Sequence, residues 1–252
     1  MSKRRVVITG LGAVSSVGNT AEETWQAVKA GKSGASHITL FDAADFPVQI
    51  AAEVKDFSLD AYNVNHKLSR KMSRFAKFLL GAGIQAVNDS GLSSDTLASG
   101  KTGIVTGIGI GLSDGLDAGY RKYFDPNAGV NRLPPLTAPL SLNNEASANV
   151  SMYFGIKGPS WTISTACASG SDAIGLGMDM IRSGRIDVCL AGGTDANITG
   201  FNIGCYQVLQ ALTQNFNDAP EKASRPFDKN RSGFVMGEGS AVLVLEELEH
   251  AK

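Results

Sequence analysis

The stretch GPSWTISTACASG, residues 158–170, places a cysteine between a β-branched run and a cluster of small residues. Residues 161–165 have the composition of a buried strand, and a helical pattern begins at Ser169. Cys167 is therefore predicted to lie in the turn that connects the strand to the helix. The unpaired N–H groups and the positive end of the helix dipole favour a thiolate there, which predicts a nucleophile.

The neighbours of Cys167 fit an acyl-transfer site. Ala166, Ala168 and Gly170 leave room for a substrate carbonyl, and backbone N–H groups at the turn can hold an oxyanion. The helix is predicted to pack on the sheet through Ala173, Gly177, Met180 and Ile181. The alternative is that Cys167 is a buried small hydrophobic residue, as most free cysteines are. We prefer that interpretation for Cys189 and Cys205.

Strand and helix patterns alternate along the chain, which indicates an α/β fold with a mostly parallel central sheet. Strands are predicted at residues 5–9, 49–54, 102–110, 161–165, 187–191 and 240–245. Helices are predicted at residues 21–30, 69–87, 141–153 and 169–181. The glycines of the run Gly107, Gly109 and Gly111 predict close approach of backbone segments.

Composition excludes several classes of function. The 23 basic and 24 acidic residues give a net charge of -1, so the whole molecule has no general attraction for nucleic acid. No run approaches the roughly 18 apolar residues that cross a bilayer. Three cysteines without scaffold spacing favour a reduced, cytoplasmic protein without disulfides. No dinucleotide, phosphate-loop or metal motif appears, so we expect no cofactor and no metal.

A basic cluster follows His66. Lys67, Arg70, Lys71 and Arg74 have the spacing of one helix face, and this cationic stripe should attract an acidic partner. A merely solvated helix face is the alternative. Arg132, beside a proline-rich loop, would extend the patch.

Taken together, these motifs resemble those of the β-ketoacyl-acyl carrier protein synthases, the elongating enzymes of fatty-acid synthesis. The resemblance covers essentially all 252 residues. It is carried by RRVVITGLGAVSSVGN at residues 4–19, TGIGIGL at 106–112, GPSWTISTACASG at 158–170, LAGGTDA at 190–196 and SRPFDKNRSGFVMGEG at 224–239.

The resemblance implies a thiolase-like fold built from two similar halves and paired as a homodimer. It implies that Cys167 takes an acyl chain from an acyl carrier protein, and that Ile108 and Tyr206 line the acyl pocket. It also implies that Lys67, Arg70, Lys71, Arg74 and Arg132 bind the carrier protein. Gln210 stands where several family members carry a further basic residue.

The family continues for roughly another 160 residues, so the chain is expected to be the amino-terminal half, one domain spanning residues 1–252, without the family's two catalytic histidines. Acylation of Cys167 should survive, whereas condensation should be absent or very weak, because losing even one oxyanion donor costs about 100- to 1000-fold. Exposed apolar surface should cause self-association. Two alternatives remain: a carrier-protein-binding or assembly module that does not catalyse, and thiolase-like transfer to coenzyme A.

Overall fold

The computed structural model describes residues 4–111, 113–127 and 132–252, and these residues form a mixed sheet with helices on both faces. The strands are β1 Val6–Ser15, β2 Ser36–His37, β3 Ile50–Ala51, β4 Thr102–Gly107, β5 Ser160–Ile163, β6 Val188–Asp195 and β7 Gly239–Glu247. The helices are α1 Ala21–Lys29, α2 His66–Ser69, α3 Arg74–Ser90, α4 Ser94–Leu97, α5 Ser113–Tyr123, α6 Thr137–Leu140, α7 Glu145–Phe154, α8 Ser169–Arg182, α9 Gly200–Val208 and α10 Leu248–Ala251.

The main sheet has the strand order β1-β7-β6-β4-β5. Pairing is parallel between β4 and both β5 and β6, and antiparallel between β7 and both β6 and β1. The predicted α/β architecture is confirmed, with parallel pairing confined to the three strands β4, β5 and β6. The carboxyl ends of those three strands point to one edge of the sheet, where loops converge.

Helix α3 packs on one face of the sheet and α8 on the other. The buried side of α3 lies against β1, β7 and α7, and its apolar residues form one core cluster with Ile104, Leu190 and Val244. The α8 residues Ala173, Gly177, Met180 and Ile181 are buried toward the sheet, as the spacing predicted. The sheet is therefore held between two core layers, and a third, separate apolar cluster includes Ile203 and Leu212.

Strand β1 is longer than predicted, because its glycines do not end it. A Cβ atom on Gly10 would lie 2.1 Å from the carbonyl oxygen of Ala86, and one on Gly12 would lie 2.0 Å from that of Ala82. These glycines let β1 run directly against α3. The strand predicted at residues 49–54 shrinks to β3, which pairs with β2, and an isolated bridge joins the next residue, Ala52, to Gly237. The helix predicted from residue 141 begins at Glu145.

The helix predicted over residues 69–87 is confirmed from Arg74 onward, but its predicted start is wrong. Helix α2 ends at Ser69, and α3 begins only at Arg74. Ser73 caps α3 with its hydroxyl, and its N–H and Oγ also donate to the carboxylate of Glu145. A capping serine anchored to another helix starts a new helix and stops the preceding turn from continuing.

Candidate active site at Cys167

Cys167 lies in the turn between β5 and α8, as the sequence predicted. Ala166 has a left-handed backbone with φ of 52°, and the Ala168 N–H closes the turn on Thr165 O at 3.2 Å. The side chain of Cys167 is exposed, so it is not a buried core residue. The thiol stands beside the amino terminus of a 14-residue helix, which favours negative charge at that position.

Side-chain hydrogen bonds fix the backbone on both sides of the thiol. Ser169 Oγ accepts the N–H of Thr165 at 2.9 Å and donates to Ala166 O at 2.6 Å. Thr165 Oγ1 in turn donates to Asp172 Oδ2 at 2.6 Å. These bonds hold the strained turn in one shape, which keeps the nucleophile in one position.

The start of α8 lies almost on the backbone of the sheet. A Cβ atom on Gly107 would stand 2.1 Å from the carbonyl carbon and oxygen of Ser169. A Cβ atom on Gly193 would stand 3.1 Å from the Cα of Gly170. Glycines in β4 and β6 thus admit the turn that carries Cys167, and the predicted close approach at Gly107 is confirmed.

Cys167 opens into a cavity of about 610 Å³ at the carboxyl edge of the parallel strands. This volume lies within the range of about 300–1,000 Å³ that is typical of ligand pockets. The side chains that line it include Ile110, Asp195, Asn197, Tyr206, Phe234 and Met236. The wall is largely apolar, with a few polar groups close to the thiol.

The polar part of the wall is organised by Asp195. Its carboxylate accepts the N–H groups of Gly109, Ile110 and Gly111 at 2.8, 3.2 and 2.8 Å. Asn197 Nδ2 donates to the same carboxylate at 2.8 Å. The LAGGTDA motif contains Asp195, but its pattern predicted no role for that residue. An acidic residue at the carboxyl end of a mostly buried strand was the available signal.

The two predicted pocket residues have different positions. Tyr206 lines the cavity, with its ring 5.8 Å from that of Phe234 in an edge-to-face arrangement. Ile108 is completely buried in a core cluster and is not among the described residues that line the cavity. Its N–H donates to Ile163 O at 3.0 Å and so continues the pairing between the two strands. Ile110, two residues later, lies in the wall instead. Leu112, which ends the same motif, is outside the described residues.

The predicted basic stripe is divided by the break between α2 and α3. Lys67, Arg70 and Lys71 are exposed, and within the described part of the chain none of them forms an ion pair. Arg74 is half-buried and bonds both Glu238, at 2.5 Å, and Val54 O, at 2.6 Å, so it joins α3 to the segment before β7. Arg132 is exposed.

The other two cysteines differ from each other. Cys189 is fully buried in β6, and burial raises the pKa of its thiol to about 12. Cys205 is exposed on α9, so the expectation that it is a buried hydrophobic residue is wrong. The sequence pattern around it is apolar, but α9 turns this side outward, together with Phe201 and Val208.

None of the chain's three histidines lines the cavity as the structure describes it. His250 Nδ1 lies 2.7 Å from Glu246 Oε2 at the end of β7. Among residues 4–111, 113–127 and 132–252, no group of three or more metal-binding side chains comes together. In the same ranges, no helix is long and apolar enough to span a membrane.

Known proteins share both the sequence and the shape of this chain. The chain is 45% identical over 252 residues to 3-oxoacyl-acyl-carrier-protein synthase 2 of Coxiella burnetii (strain RSA 493 / Nine Mile phase I), matching all of this chain and 60% of that protein. The solved ishigamide ketosynthase/chain length factor superposes with a TM-score of 0.90 at 33% identity, over 99% of this chain and 60% of the other.

A second solved structure contains a type II polyketide synthase acyl-carrier protein in complex with its ketosynthase bound to the hexaketide. It superposes with a TM-score of 0.87 at 27% identity, over 99% of this chain and 60% of the matched chain. The chain thus spans about 60% of the length of each of these three proteins. The model of the β-ketoacyl synthase amino-terminal domain matches residues 3–251. The chain therefore belongs to the β-ketoacyl synthase family, whose thiolase-like fold it shares.

Proposed function

We propose that this chain is the nucleophile-bearing part of a 3-oxoacyl-acyl carrier protein synthase of fatty-acid synthesis, and that Cys167 accepts the acyl chain. The observation that carries the proposal is an exposed cysteine at a helix amino terminus, opening into a largely apolar cavity of about 610 Å³. A cytoplasmic, reducing compartment is part of the proposal, because an acyl-accepting thiol must stay reduced.

The first chemical step is transfer between two thioesters. The Cys167 thiolate attacks the carbonyl carbon of an acyl-carrier-protein thioester, and the carbonyl oxygen becomes an oxyanion that turn N–H groups stabilise. The tetrahedral intermediate collapses as the bond to the carrier sulfur breaks. The carrier thiolate leaves and takes up a proton, and the acyl group remains on Cys167.

The second step, condensation with malonyl-carrier protein, is proposed to be absent or very weak in this chain alone. Decarboxylation of the malonyl group needs donors aimed at the developing negative charge. No histidine lines the cavity in the described residues, and the chain spans 60% of the length of its Coxiella relative. Such donors would belong to the remainder of a longer protein or to a second chain.

Acyl carrier protein is the proposed partner, with Lys67, Arg70, Lys71 and Arg132 as its contacts. These side chains are exposed, and the cations of Lys67, Arg70 and Lys71 are not used in ion pairs within the described residues. Arg74 offers the least charge to a partner, because Glu238 neutralises it. An acidic carrier would be drawn to such a cluster by long-range attraction.

A homodimer is also proposed, with β5 as the joining element. This strand is at the edge of the main sheet, so one side of its backbone has no strand to pair with in the described residues. Two copies can pair such edges about a twofold axis, in an antiparallel arrangement that continues the sheet.

Intact-protein mass spectrometry after incubation with an acyl-carrier protein tests the transfer. The expected result is a mass gain of one acyl group that the C167A variant does not show. Charge reversal at Lys67 and Arg70 together should slow transfer from the carrier by about tenfold or more at low salt. The same charge reversal should leave the rate of transfer from acyl-coenzyme A unchanged. The matched control is Lys32→Glu, because Lys32 is an exposed lysine outside the cluster.

The results also separate the competing functions. Binding of the carrier without a mass gain would support a non-catalytic carrier-binding module and overturn the proposal. A faster reaction with acyl-coenzyme A than with the acyl-carrier protein would favour thiolase-like transfer.

A further inference from the structure

Asp195 is an acidic residue beside the nucleophile Cys167. The described hydrogen-bond partners of its carboxylate all belong to this chain. The partners that the structure describes for its carboxylate are three successive backbone N–H groups, of Gly109, Ile110 and Gly111, and the amide of Asn197. Successive N–H groups of this kind form a nest for an anion. Here the anion is a side chain from the neighbouring strand, so the loop after β4 is tied to the end of β6.

The tied loop also touches the turn that carries the nucleophile. A Cβ atom on Gly109 would lie 3.0 Å from Asp195 Oδ2 and 3.3 Å from the carbonyl oxygen of Ala166. Gly109 is therefore the point where the carboxylate, the loop and the turn meet. The next residue, Ile110, forms part of the cavity wall beside Cys167.

This loop has little stiffness of its own. Gly109 and Gly111 contain no side chain that restricts the backbone, and Gly111 has a left-handed φ of 64°. Glycine loses more conformational freedom on ordering than any other residue. Without the carboxylate, three N–H groups would lose their partner and the loop would have to be ordered each time a ligand entered.

We propose that Asp195 is a positioning residue that holds the Gly109 and Ile110 wall in place, so that a long acyl chain finds a preformed cavity beside Cys167. The proposal deepens the function proposed above and rests on it. Asp195 acts through the backbone and does not touch the reacting atoms.

The test compares two thiol reagents that differ only in their alkyl tail. N-methylmaleimide needs only the thiol, whereas N-dodecylmaleimide must also place a long chain beside it. In a Cys205→Ser background, which removes the other exposed thiol, the rate of Cys167 modification is measured by mass spectrometry for each reagent. Asp195→Asn should slow the long reagent relative to the short one by about tenfold, the equivalent of one charge-assisted hydrogen bond. Asp195→Glu, which keeps a carboxylate, should recover part of the ratio.

The matched control is Asp187→Asn. Asp187 directly precedes the first residue of β6, at the end of the strand opposite to Asp195, and its carboxylate pairs with Arg4. The control substitution should leave the ratio unchanged. An unchanged ratio in Asp195→Asn would overturn the inference, and so would an equal loss of rate with both reagents, which indicates only a damaged fold. The acyl-transfer assay is separate: a wild-type chain that takes no acyl group overturns the proposed function, whatever the maleimide ratio.

Discussion

At the scale of single residues, Cys189 shows how position within the fold sets the chemistry of a thiol. Its sulfur is buried between β6 and α8, where a Cβ atom on Gly177 would lie only 2.9 Å away. Burial raises the pKa from 9.0 to about 12, because the thiolate is not solvated there. Cys167, in the same chain, lies at a helix terminus and is open to solvent. Only Cys167 and Cys205 are therefore expected to react with thiol reagents in the folded protein.

The shifted pKa of Cys189 predicts a loss of stability in alkali. Above pH 9.0 the unfolded thiol ionises while the folded thiol keeps its proton until about pH 12. The free energy of unfolding should therefore fall over this window by about 1.4 kcal/mol per pH unit. Urea unfolding of the wild type and of Cys189→Ala, measured from pH 8 to 11, checks this prediction: the free energy of unfolding should fall more steeply with pH in the wild type than in the variant. Parallel curves for the two would contradict it.

Gly107 and Gly175 predict opposite effects of the same substitution. Gly107→Ala would drive a Cβ atom into the backbone of Ser169, at 2.1 Å, and should lower the free energy of unfolding by about 1–3 kcal/mol or more. Gly175, within α8, has nothing within 4 Å of its Cβ position, so Gly175→Ala should raise it by about 0.4–1 kcal/mol. Urea titrations measure the free energy of unfolding of both variants. Equal effects would show that close packing of the turn does not matter.

Residue-level prediction from the sequence succeeded where a local pattern decides the outcome. The strand, turn and helix around Cys167 follow from side-chain type and spacing. Which of Ile108 and Ile110 lines the described cavity does not follow from the sequence, since both are apolar residues in a glycine-rich run. It depends on β4 ending at Gly107 and on the carboxylate of Asp195, which is distant in sequence.

At the scale of elements, the break between α2 and α3 shows how tertiary contacts override helical spacing. Residues 69–87 have an unbroken apolar period, but Ser73 is bonded to Glu145 of α7 and caps a new helix. No local pattern could reveal a partner 72 residues away. The same break separates Arg74 from the other cations and makes it a structural residue.

The cap of α3 should contribute more to stability than an ordinary exposed cap. Ser73→Ala removes the cap and also deprives the buried Glu145 carboxylate of a donor, so it should cost about 2 kcal/mol or more. Ser93 caps helix α4 through its hydroxyl, which accepts the N–H of Thr96 and bonds the Thr96 hydroxyl, both within α4, and Ser93→Ala should cost about 1 kcal/mol or less. Urea unfolding of the two alanine variants compares these costs. A smaller cost at Ser73 than at Ser93 would show that the link between α3 and α7 adds nothing.

At the scale of the whole molecule, the alternation of strands and helices was sufficient to predict the layers but not the sheet. The antiparallel insertion of β7 between β1 and β6 joins the two ends of the chain, and sequence periodicity contains no information about such a pairing. The same topology leaves β5 at one edge, with α7 and α8 beside it. The proposed dimer thus depends on strand order, which only the three-dimensional structure reveals.

The direction of backbone groups along β5 allows a sharp test of the dimer. Pro159 O accepts the N–H of Ile104 in β4 at 2.8 Å, and Ile163 O accepts the N–H of Ile108, directly after β4, at 3.0 Å. Because alternate residues of a strand present their backbone groups to opposite sides, the N–H of Thr162 points away from β4. Thr162→Pro therefore removes an outward donor without removing a bond inside the sheet, which an edge strand tolerates.

Light scattering after size exclusion should find the wild type as a dimer and Thr162→Pro as a monomer. Thr162→Ala provides the matched control: it loses the hydroxyl that bonds Ser147 at 2.9 Å, as the proline variant does, but it keeps the N–H and should remain a dimer. If the proline variant stays dimeric while its unfolding curve matches that of the alanine variant, the two copies associate through another surface, such as the exposed apolar side of α9. If both variants are monomers, the hydroxyl contact and not the strand edge holds the dimer.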